Sequence, residues 1–176
     1  MIVQQLRLGE GGKIRALRLG ALSDAPYAFG SSFAQEAAYP PEHWDALAEQ
    51  SESGEHGVVF VAIDGTRWLG MAGGYLGEEN PSVASVWGMW VDASVRRHGC
   101  GRQLLQAVRD WASARGAVRL ELSVTDRATA AAALYRELGF TATGELRPLA
   151  SDPSINELLM TRPLGGGEGA EINGQY

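Results

Sequence analysis

Residues 91–102 read VDASVRRHGCGR, and the interpretation of the whole chain depends on this stretch. A β-prone run ends at Asp92, and an amphipathic helical pattern begins directly after Gly101. Glycines at such a junction allow backbone N–H groups to converge on one point. The following helix adds free N–H groups and its dipole, and Arg96 and Arg97 add charge-assisted hydrogen bonds. The stretch therefore predicts a binding site for a phosphate or diphosphate.

The glycines of this loop are also compatible with less specific roles. Gly99 and Gly101 alone could form a tight strand-to-helix turn that binds nothing. A P-loop ends in Gly-Lys-Ser/Thr, whereas Gly101 is followed here by Arg102 and Gln103. A dinucleotide-binding fingerprint has three spaced glycines near the first strand of its fold. Neither nucleotide motif fits, and a nucleotide-binding protein that uses the same loop is kept only as an alternative.

The surrounding elements follow the order β-α-α-β-β-β-α-β-α-β-β. Three β-prone runs within residues 58–91, separated by turn signals, predict an antiparallel meander. The strand–helix–strand unit that follows needs a right-handed crossover and makes its two strands parallel. We therefore expect one α/β domain over residues 1–164, with a mixed, mostly antiparallel twisted sheet of about seven strands and about four helices. Residues 165–176 are Gly-rich and polar and predict a disordered tail.

Hydrophobic periodicity sets the expected bounds of the elements. Helices are predicted over residues 13–22, 42–49, 102–115 and 129–138. Strands are predicted over residues 2–8, 58–63, 68–76, 83–91, 118–124, 141–146 and 157–161. Residues 27–39 show no clean period, and residues 147–155, with two prolines, predict a loop.

Composition excludes several classes of protein. The formal net charge of −6 argues against a general nucleic-acid binder. No signal-peptide layout is present at the N-terminus, and no apolar run approaches the roughly 20 residues that span a bilayer. Cys100 is the only cysteine, which favours a reducing, cytoplasmic setting. One cysteine and three histidines, widely scattered along the chain, predict no metal site.

Three landmarks together resemble the GNAT superfamily of N-acetyltransferases. The loop over residues 96–101 (RRHGCG) follows the family's Arg/Gln-x-x-Gly-x-Gly/Ala coenzyme A motif. Residues 89–92 (MWVD) are similar to its fourth strand, and residues 122–124 (LSV) with residues 133–140 (ALYRELGF) are similar to its fifth strand and following helix. With the element order, the resemblance covers about residues 3–163.

This resemblance implies acetyl-CoA as cosubstrate and no metal. The pantetheine arm would lie between splayed fourth and fifth strands, with the diphosphate on the glycine-containing loop. Many members carry Asn at the position of Ala128, so that side-chain contact is missing here while the backbone-driven site is retained. The implied coenzyme-binding residues are Met89, Trp90, Val91, Arg96, Arg97, His98, Gly99, Cys100, Gly101, Arg102 and Ala128.

The implied reaction is direct attack of an amine on the thioester in a ternary complex. Tyr135 occupies the position of the family's Leu-Tyr tyrosine and is the implied general acid toward the departing thiolate; ordinary aromatic packing is the alternative. Some members place a catalytic Glu near the position of Ser85, which cannot serve as a base. Glu121 is the candidate base, with a solvated Glu or a water chain as alternatives. Cys100 is interpreted as part of the phosphate loop, and not as a nucleophile.

In this family the segment between the first two helices helps to shape the acceptor site, and here that segment is residues 27–39. Aromatic rings beside a carboxylate suit an amine through apolar and cation–π contacts, although core positions for both phenylalanines are the alternative. Residues 147–153 are expected to close the other side. The predicted acceptor-binding residues are Phe29, Ser31, Phe33 and Glu36.

The acceptor itself stays open at this stage. A small amine or antibiotic and a protein N-terminus or lysine are all compatible with the sequence, and a homodimer is a further expectation. The main competing class is a non-catalytic acyl-CoA-binding module, because the positions of Ser85 and Ala128 lack the usual functional groups.

Overall fold

The computed structural model describes residues 1–165, and it shows one seven-stranded mixed sheet with helices on both faces. Apart from Gly165, the predicted tail over 165–176 lies outside the described residues. The strands are β1 (Ile2–Gln5), β2 (Gly57–Asp64), β3 (Arg67–Leu76), β4 (Val83–Val91), β5 (Arg119–Thr125), β6 (Thr141–Leu149) and β7 (Asp152–Pro163). The helices are α1 (Gly11–Asp24), α2 (Phe33–Ala37), α3 (Pro41–Ser53), α4 (Cys100–Ala114) and α5 (Thr129–Glu137), with 3-10 turns at Pro26–Ala28 and Ala93–Val95.

The strand order in the sheet is β1-β2-β3-β4-β5-β7-β6. Neighbouring strands are antiparallel except β4 and β5, which run parallel and are connected through α4. The structure therefore confirms the predicted α/β fold and the mixed, mostly antiparallel sheet. Within residues 1–165 the helices number five, and the prediction of about four missed the shortest of them.

The missed helix, α2, lies in the segment without clean periodicity. The Ser32 hydroxyl accepts from the Gln35 N–H, and the Gln35 side chain accepts from the Ser32 N–H. This capping box stabilises a single helical turn through local hydrogen bonds. A turn held in this way needs no repeating apolar pattern, so periodicity could not predict it.

The loop predicted over residues 147–155 was wrong. β6 continues to Leu149 and β7 begins at Asp152, and the two strands pair with each other across a tight turn. Pro148 is tolerated because β6 is an edge strand. β7 pairs with β5 only from Glu157 onward, so Pro153 needs no partner on that side.

Two apolar layers cover the sheet. On one face, α4 and α5 pack against the sheet in a cluster that includes Leu104, Val108, Leu120, Leu122 and Tyr135. On the other face, α1 and α3 pack in a cluster that includes Ile14, Leu17, Trp44, Val59 and Met71. The sheet therefore separates the two apolar layers, and a gap between two of its strands would connect one face with the other.

Such an opening lies between β4 and β5. Only Val83–Ser85 of β4 pair with β5, opposite Arg119–Glu121. Beyond Ser85 the remainder of β4 pairs with β3 alone, and the remainder of β5 pairs with β7 alone. The backbone edges of both strands are therefore free to bind an extended ligand inside this fork.

A bulge in β4 marks the middle of the fork. Met71 pairs with Trp90 and Gly73 with Trp87, so Ala72 of β3 faces both Gly88 and Met89. Gly88 has φ 63°, which a residue with a side chain adopts only at a cost. The extra residue changes the alternation of side chains, so Trp87 and Trp90 pack toward α1 while Met89 packs toward α4.

Candidate active site

The predicted anion-binding loop lies at the open end of the fork. Gly99 adopts a left-handed conformation with φ 82° immediately before α4. The first helical hydrogen bond joins the Gln103 N–H to the Gly99 carbonyl at 3.0 Å. The amides of residues 100–102 therefore have no acceptor within the helix, and with the helix dipole they form a site suited to a phosphate group.

Gly101 lies where α4 packs closely against β4 and α5. A Cβ atom on Gly101 would lie 2.9 Å from Leu134 Cδ2 and 3.0 Å from Met89 Cε. A larger residue would push the first turn of α4 away from β4 and α5. The absence of a side chain thus keeps the loop amides beside the fork.

The two loop arginines have different environments. The Arg96 Nε donates to the Val91 carbonyl at 2.8 Å, and its guanidinium pairs with the Asp24 carboxylate. Arg97 is exposed and has φ 65°, the one positive φ of a non-glycine residue among residues 1–165. The Arg96 side chain thus connects the loop to β4 and to the end of α1, while the Arg97 side chain is exposed to solvent beside the free amides. Binding of a diphosphate by either side chain stays a prediction.

Asp24 connects the end of α1 to this loop. The hydrogen bond from Trp90 Nε1, at 2.9 Å, and the Arg96 guanidinium hold the pKa of the Asp24 carboxyl below its usual range, against a smaller opposing effect of burial. No sequence pattern indicated this contact, because Asp24 and Trp90 are 66 positions apart.

The remaining loop residues surround the free amides. His98 Nδ1 lies 2.8 Å from the Arg96 carbonyl, and Arg102 pairs with Glu137 of α5 at 3.4 Å. Cys100 is buried, and burial raises the pKa of its thiol. A neutral, buried thiol agrees with the interpretation of Cys100 as a loop residue, since a nucleophile requires the thiolate.

Tyr135 projects from α5 into the cluster that α4 and α5 share. Its ring is 5% exposed and lies 5.9 Å from the Phe140 ring. Burial raises the pKa of the Tyr135 hydroxyl far above its usual range, so the group stays protonated at physiological pH. Ala128 immediately precedes α5, and its carbonyl accepts the first helical bond from Ala132.

Glu121 lies at the closed end of the fork. It pairs with Ser85 across β4 and β5, and its Oε1 lies 2.9 Å from Arg119 Nη2. Its neighbours Leu120 and Leu122 belong to the α4 and α5 face, so strand alternation directs Glu121 to the opposite face. A role as base stays a prediction.

Three of the four predicted acceptor residues contact Arg18, a residue that the sequence interpretation missed. The Arg18 guanidinium binds Glu36 through Nε at 2.9 Å and Nη2 at 2.7 Å, and Nη2 also lies 3.2 Å from Ser31 Oγ. The guanidinium carbon lies 4.5 Å from the centre of the Phe29 ring. Phe29 is thus buried, in agreement with the core alternative, whereas Phe33 is 48% exposed.

A signal for Arg18 was present in the sequence. Ile14, Leu17, Ala21 and Leu22 form the buried stripe of α1, and Arg18 occupies a position within this stripe. A charged residue in an apolar stripe requires a buried partner, and that partner is Glu36. Burial raises the pKa of the Glu36 carboxyl, but the hydrogen bonds from Arg18 and Ser31 outweigh this effect, so the pKa lies below its usual range.

A cavity of about 270 Å³ lies beside this pair, on the α1 and α3 side of the sheet. Among the predicted acceptor residues, Glu36 lines it, whereas Phe29 and Ser31 contact Arg18 from outside the lining. The hydroxyl of Ser151, in the turn between β6 and β7, donates to the Phe29 carbonyl at 2.5 Å. The turn between β6 and β7 therefore contacts the segment over residues 27–39, and closure of an acceptor site by residues 147–153 stays a prediction. The cavity is lined by Ile14, Arg18, Glu36, Tyr39, His43, Trp44, Leu47, Met71 and Trp87.

The described residues hold neither a metal cluster nor a membrane-spanning helix. Within residues 1–165, no three His, Cys, Asp or Glu side chains are grouped to hold a metal ion. No helix in this part of the chain is long and apolar enough to cross a membrane.

The fork, the bulge and the amide-bearing loop define the class of protein. The acetyltransferase (GNAT) family profile matches residues 23–140, and the chain belongs to this family. A search of curated protein sequences finds no significant match.

Solved structures share the whole fold. A GNAT-family acetyltransferase from Streptococcus pneumoniae superimposes with a TM-score of 0.80 at 19% identity, covering 93% of this chain and 99% of that one. The putative acetyltransferase yncA from Salmonella typhimurium, solved with its cofactor acetyl-CoA, gives 0.77 at 16% identity and 98% coverage of both chains. The ribosomal-protein-S18-alanine N-acetyltransferase from Escherichia coli gives 0.66 at 19% identity, covering 98% and 99%.

Proposed function

We propose that this chain transfers the acetyl group of acetyl-CoA to a primary amine by direct attack in a ternary complex. Family membership supports acetyl transfer, and the similar fold of yncA is known with acetyl-CoA bound. The observation that carries the proposal is the fork that begins beyond Ser85 and ends at the free amides of α4.

The coenzyme is assigned to the fork because the backbone edges of β4 and β5 there are free to form hydrogen bonds. The Asp92 N–H donates to Leu69 of β3 at 2.7 Å, so strand alternation turns the N–H of Val91 toward the fork. In this assignment Met89, Trp90 and Val91 hold the pantetheine arm. The Val91 N–H is the candidate donor to the carbonyl oxygen of the thioester, where negative charge develops.

The chemical step requires two protons to leave the nitrogen of the acceptor ammonium and one to reach sulfur. The ammonium loses its first proton to a water chain or to Glu121, the neutral nitrogen attacks the carbonyl carbon of the thioester, and the nitrogen releases its second proton by the same route as the tetrahedral intermediate collapses. The C–S bond then breaks, and Tyr135 donates its hydroxyl proton to the departing thiolate. The products are an N-acetylated amine and free coenzyme A, and solvent reprotonates Tyr135.

The size of the cavity favours a small acceptor. At about 270 Å³ it lies below the roughly 300–1,000 Å³ of pockets for drug-sized ligands. We therefore place a small amine ahead of an antibiotic or a protein chain. The Escherichia coli relative acts on a ribosomal protein, so a protein N-terminus is kept as the second acceptor class.

An amine panel with a thiol-release assay tests this function. Titration calorimetry with acetyl-CoA is expected to show binding, and at least one small primary amine is expected to release coenzyme A at saturable rates. Binding without release on every amine would instead favour a non-catalytic acyl-CoA-binding module. ATP binding without acetyl-CoA binding would revive the nucleotide-binding alternative.

The assigned diphosphate site has a test of its own. Arg97→Ala is expected to weaken acetyl-CoA binding about tenfold, because a charge-assisted hydrogen bond is lost. Acetylpantetheine lacks the diphosphate, so its kcat/KM is expected to be the same in Arg97→Ala and wild type. Arg7→Ala, an exposed arginine far along the chain, is the matched control. An equal loss with both donors would remove Arg97 from the diphosphate site.

A further inference from the structure

The Arg18 guanidinium has donors that its protein partners do not use. Its Nε and Nη2 face Glu36 and Ser31, and its flat face lies over Phe29. Nη1 is buried and has no hydrogen-bond partner among residues 1–165. Arginine carries five N–H groups, two of them on Nη1. The two N–H groups on Nη1 of this 9%-exposed side chain are therefore unpaired.

The free nitrogen lies at the middle of the fork. Nη1 is 3.6 Å from the position that a Cβ atom would occupy on Gly88, the bulge residue of β4. Arg18 also lines the cavity together with Met71 and Trp87. The cavity and the bulge of β4 therefore meet at the Arg18 guanidinium, beside the strand to which the thioester is assigned.

A second buried donor belongs to the same cavity. Trp44 lines it, and Trp44 Nε1 is also without a hydrogen-bond partner in the described part of the chain. A buried donor that stays unsatisfied costs free energy, so two such donors around one cavity indicate a ligand with acceptor oxygens. A carboxylate has two oxygens and accepts hydrogen bonds only.

We propose that the acceptor is a free α-amino acid with an apolar or aromatic side chain, whose carboxylate binds Arg18 Nη1 and Trp44 Nε1. This inference rests on the proposed function and names the substrate class of the same site. The rings of Tyr39, His43 and Trp87 supply the surface for the apolar side chain.

The charges of the cavity match a zwitterion. Arg18 and Glu36 both line it and neutralise each other. Glu36 Oε2 accepts from Arg18 Nε alone within residues 1–165, and this leaves it a lone pair for an ammonium donor. A zwitterion brings no net charge and meets an opposite charge at each end. A simple amine would leave Nη1 unpaired and would add a buried positive charge.

The test compares three acceptors that differ at one group. L-phenylalanine carries the carboxylate, L-phenylalaninamide replaces it with a neutral amide, and 2-phenylethylamine lacks it. Wild type is expected to prefer L-phenylalanine over 2-phenylethylamine by about 10- to 100-fold in kcat/KM, with the amide between them. Trp44→Phe, which removes one donor and keeps a ring, is expected to reduce this ratio about tenfold.

Arg18→Lys is the second variant, and it retains the positive charge beside Glu36. The ratio is expected to fall to near unity, with acetyl-CoA affinity as the check on folding. Trp68→Phe, outside the cavity lining, is the matched control and is expected to leave the ratio unchanged. Equal kcat/KM for the three acceptors in wild type, or a wild-type ratio in both variants, would overturn the amino-acid inference while leaving acetyl transfer intact.

Direct binding separates this inference from the proposed function. Tryptophan fluorescence in the presence of coenzyme A is expected to report saturable binding of L-phenylalanine and weaker binding of 2-phenylethylamine. Such binding without any thiol release would support amino-acid recognition and contradict the acetyltransfer proposal. Absence of both binding and turnover across carboxylate-bearing amines would overturn the amino-acid inference.

Discussion

At the residue scale, Tyr135 joins two properties that seldom occur together. It is packed in the core of the α4 and α5 face, and it is also the candidate proton donor. Packing of this kind does not oppose the proposed chemistry. Burial raises the pKa of its hydroxyl, so the acid remains protonated throughout the range in which a free amine is available.

Tyr135→Phe removes the proton donor and preserves the ring. We expect kcat to fall about 100-fold, in the usual range for a general acid, while the Kd for acetyl-CoA stays within about twofold. Steady-state kinetics and calorimetry measure the two quantities. Tyr75→Phe, on the exposed side of β3, serves as the control. Unchanged turnover in Tyr135→Phe would leave Tyr135 with a packing role only.

Because the Tyr135 hydroxyl is buried, we expect the free energy of unfolding to depend on pH in the alkaline range. Below about pH 10, the ordinary pKa of tyrosine, Tyr135 is protonated in both the folded and the unfolded chain. Above this pH the unfolded chain releases a proton that the folded chain retains, so the free energy of unfolding falls by about 1.4 kcal/mol per pH unit. Urea unfolding at pH 9 to 11 should show a shallower decline for Tyr135→Phe, and parallel curves would contradict this prediction.

At the scale of secondary-structure elements, the fork depends on the bulge in β4. Gly88 is where β4 accommodates one residue more than β3, and the bulge also brings Gly88 close to Arg18. The helix that follows, α4, then begins at the open end of the fork. Strand, bulge and helix are consecutive in sequence, so one segment of chain builds an edge of the fork and, through Trp87, part of the wall of the cavity beside Arg18.

Gly88→Ala tests this arrangement. The left-handed conformation disfavours a side chain by about 1 kcal/mol, and the added Cβ would meet Met71 Cε at 3.2 Å. Gly144→Ala has the same backbone strain, with φ 86°, and no atom within 4 Å of its Cβ. Both variants should lose similar stability in denaturant titrations, but only Gly88→Ala should lose most of its turnover. Equal turnover in the two variants would contradict a role for the bulge.

At the scale of the whole molecule, the buried Arg18–Glu36 pair joins α1 to α2. Both side chains are 9% exposed, so each needs the other to offset its loss of water. Both side chains line the cavity on the α1 and α3 side of the sheet, so the pair connects stability with the shape of that cavity. The predicted homodimer, by contrast, stays a prediction that sedimentation velocity at several concentrations would test.

Glu36→Ala is expected to lower the free energy of unfolding at pH 7 by about 3 kcal/mol, since Arg18 would be left buried and unpaired. The pKa of Glu36 lies below its usual range, so the contribution of Glu36 is present above about pH 4.3 and is lost as the pH falls further. The difference between wild type and Glu36→Ala should therefore shrink at pH 3. Glu137→Ala, in the exposed pair with Arg102, is the control, and an equal effect of the two substitutions would contradict the prediction.

Several features of this protein followed from the amino-acid sequence alone. These features depend on residues that are close together in the chain. A glycine directly before an amphipathic helix leaves the amides of residues 100–102 free, and alternating apolar runs form strands. Residues near each other in the chain carry such signals. The fold class, the order of the elements apart from α2 and the family resemblance could therefore be predicted, and the profile match to residues 23–140 confirms the family.

Other features were decided only by the tertiary structure, because they join residues that are distant in sequence. Arg18 meets Glu36 across 18 positions, Asp24 meets Trp90 across 66, and Ser151 meets Phe29 across 122. No local period encodes such contacts, and the same holds for the bulge at Gly88, which exists only relative to β3. The loop with free amides could thus be predicted from the sequence, whereas the cavity beside Arg18 arises from packing between helices and sheet.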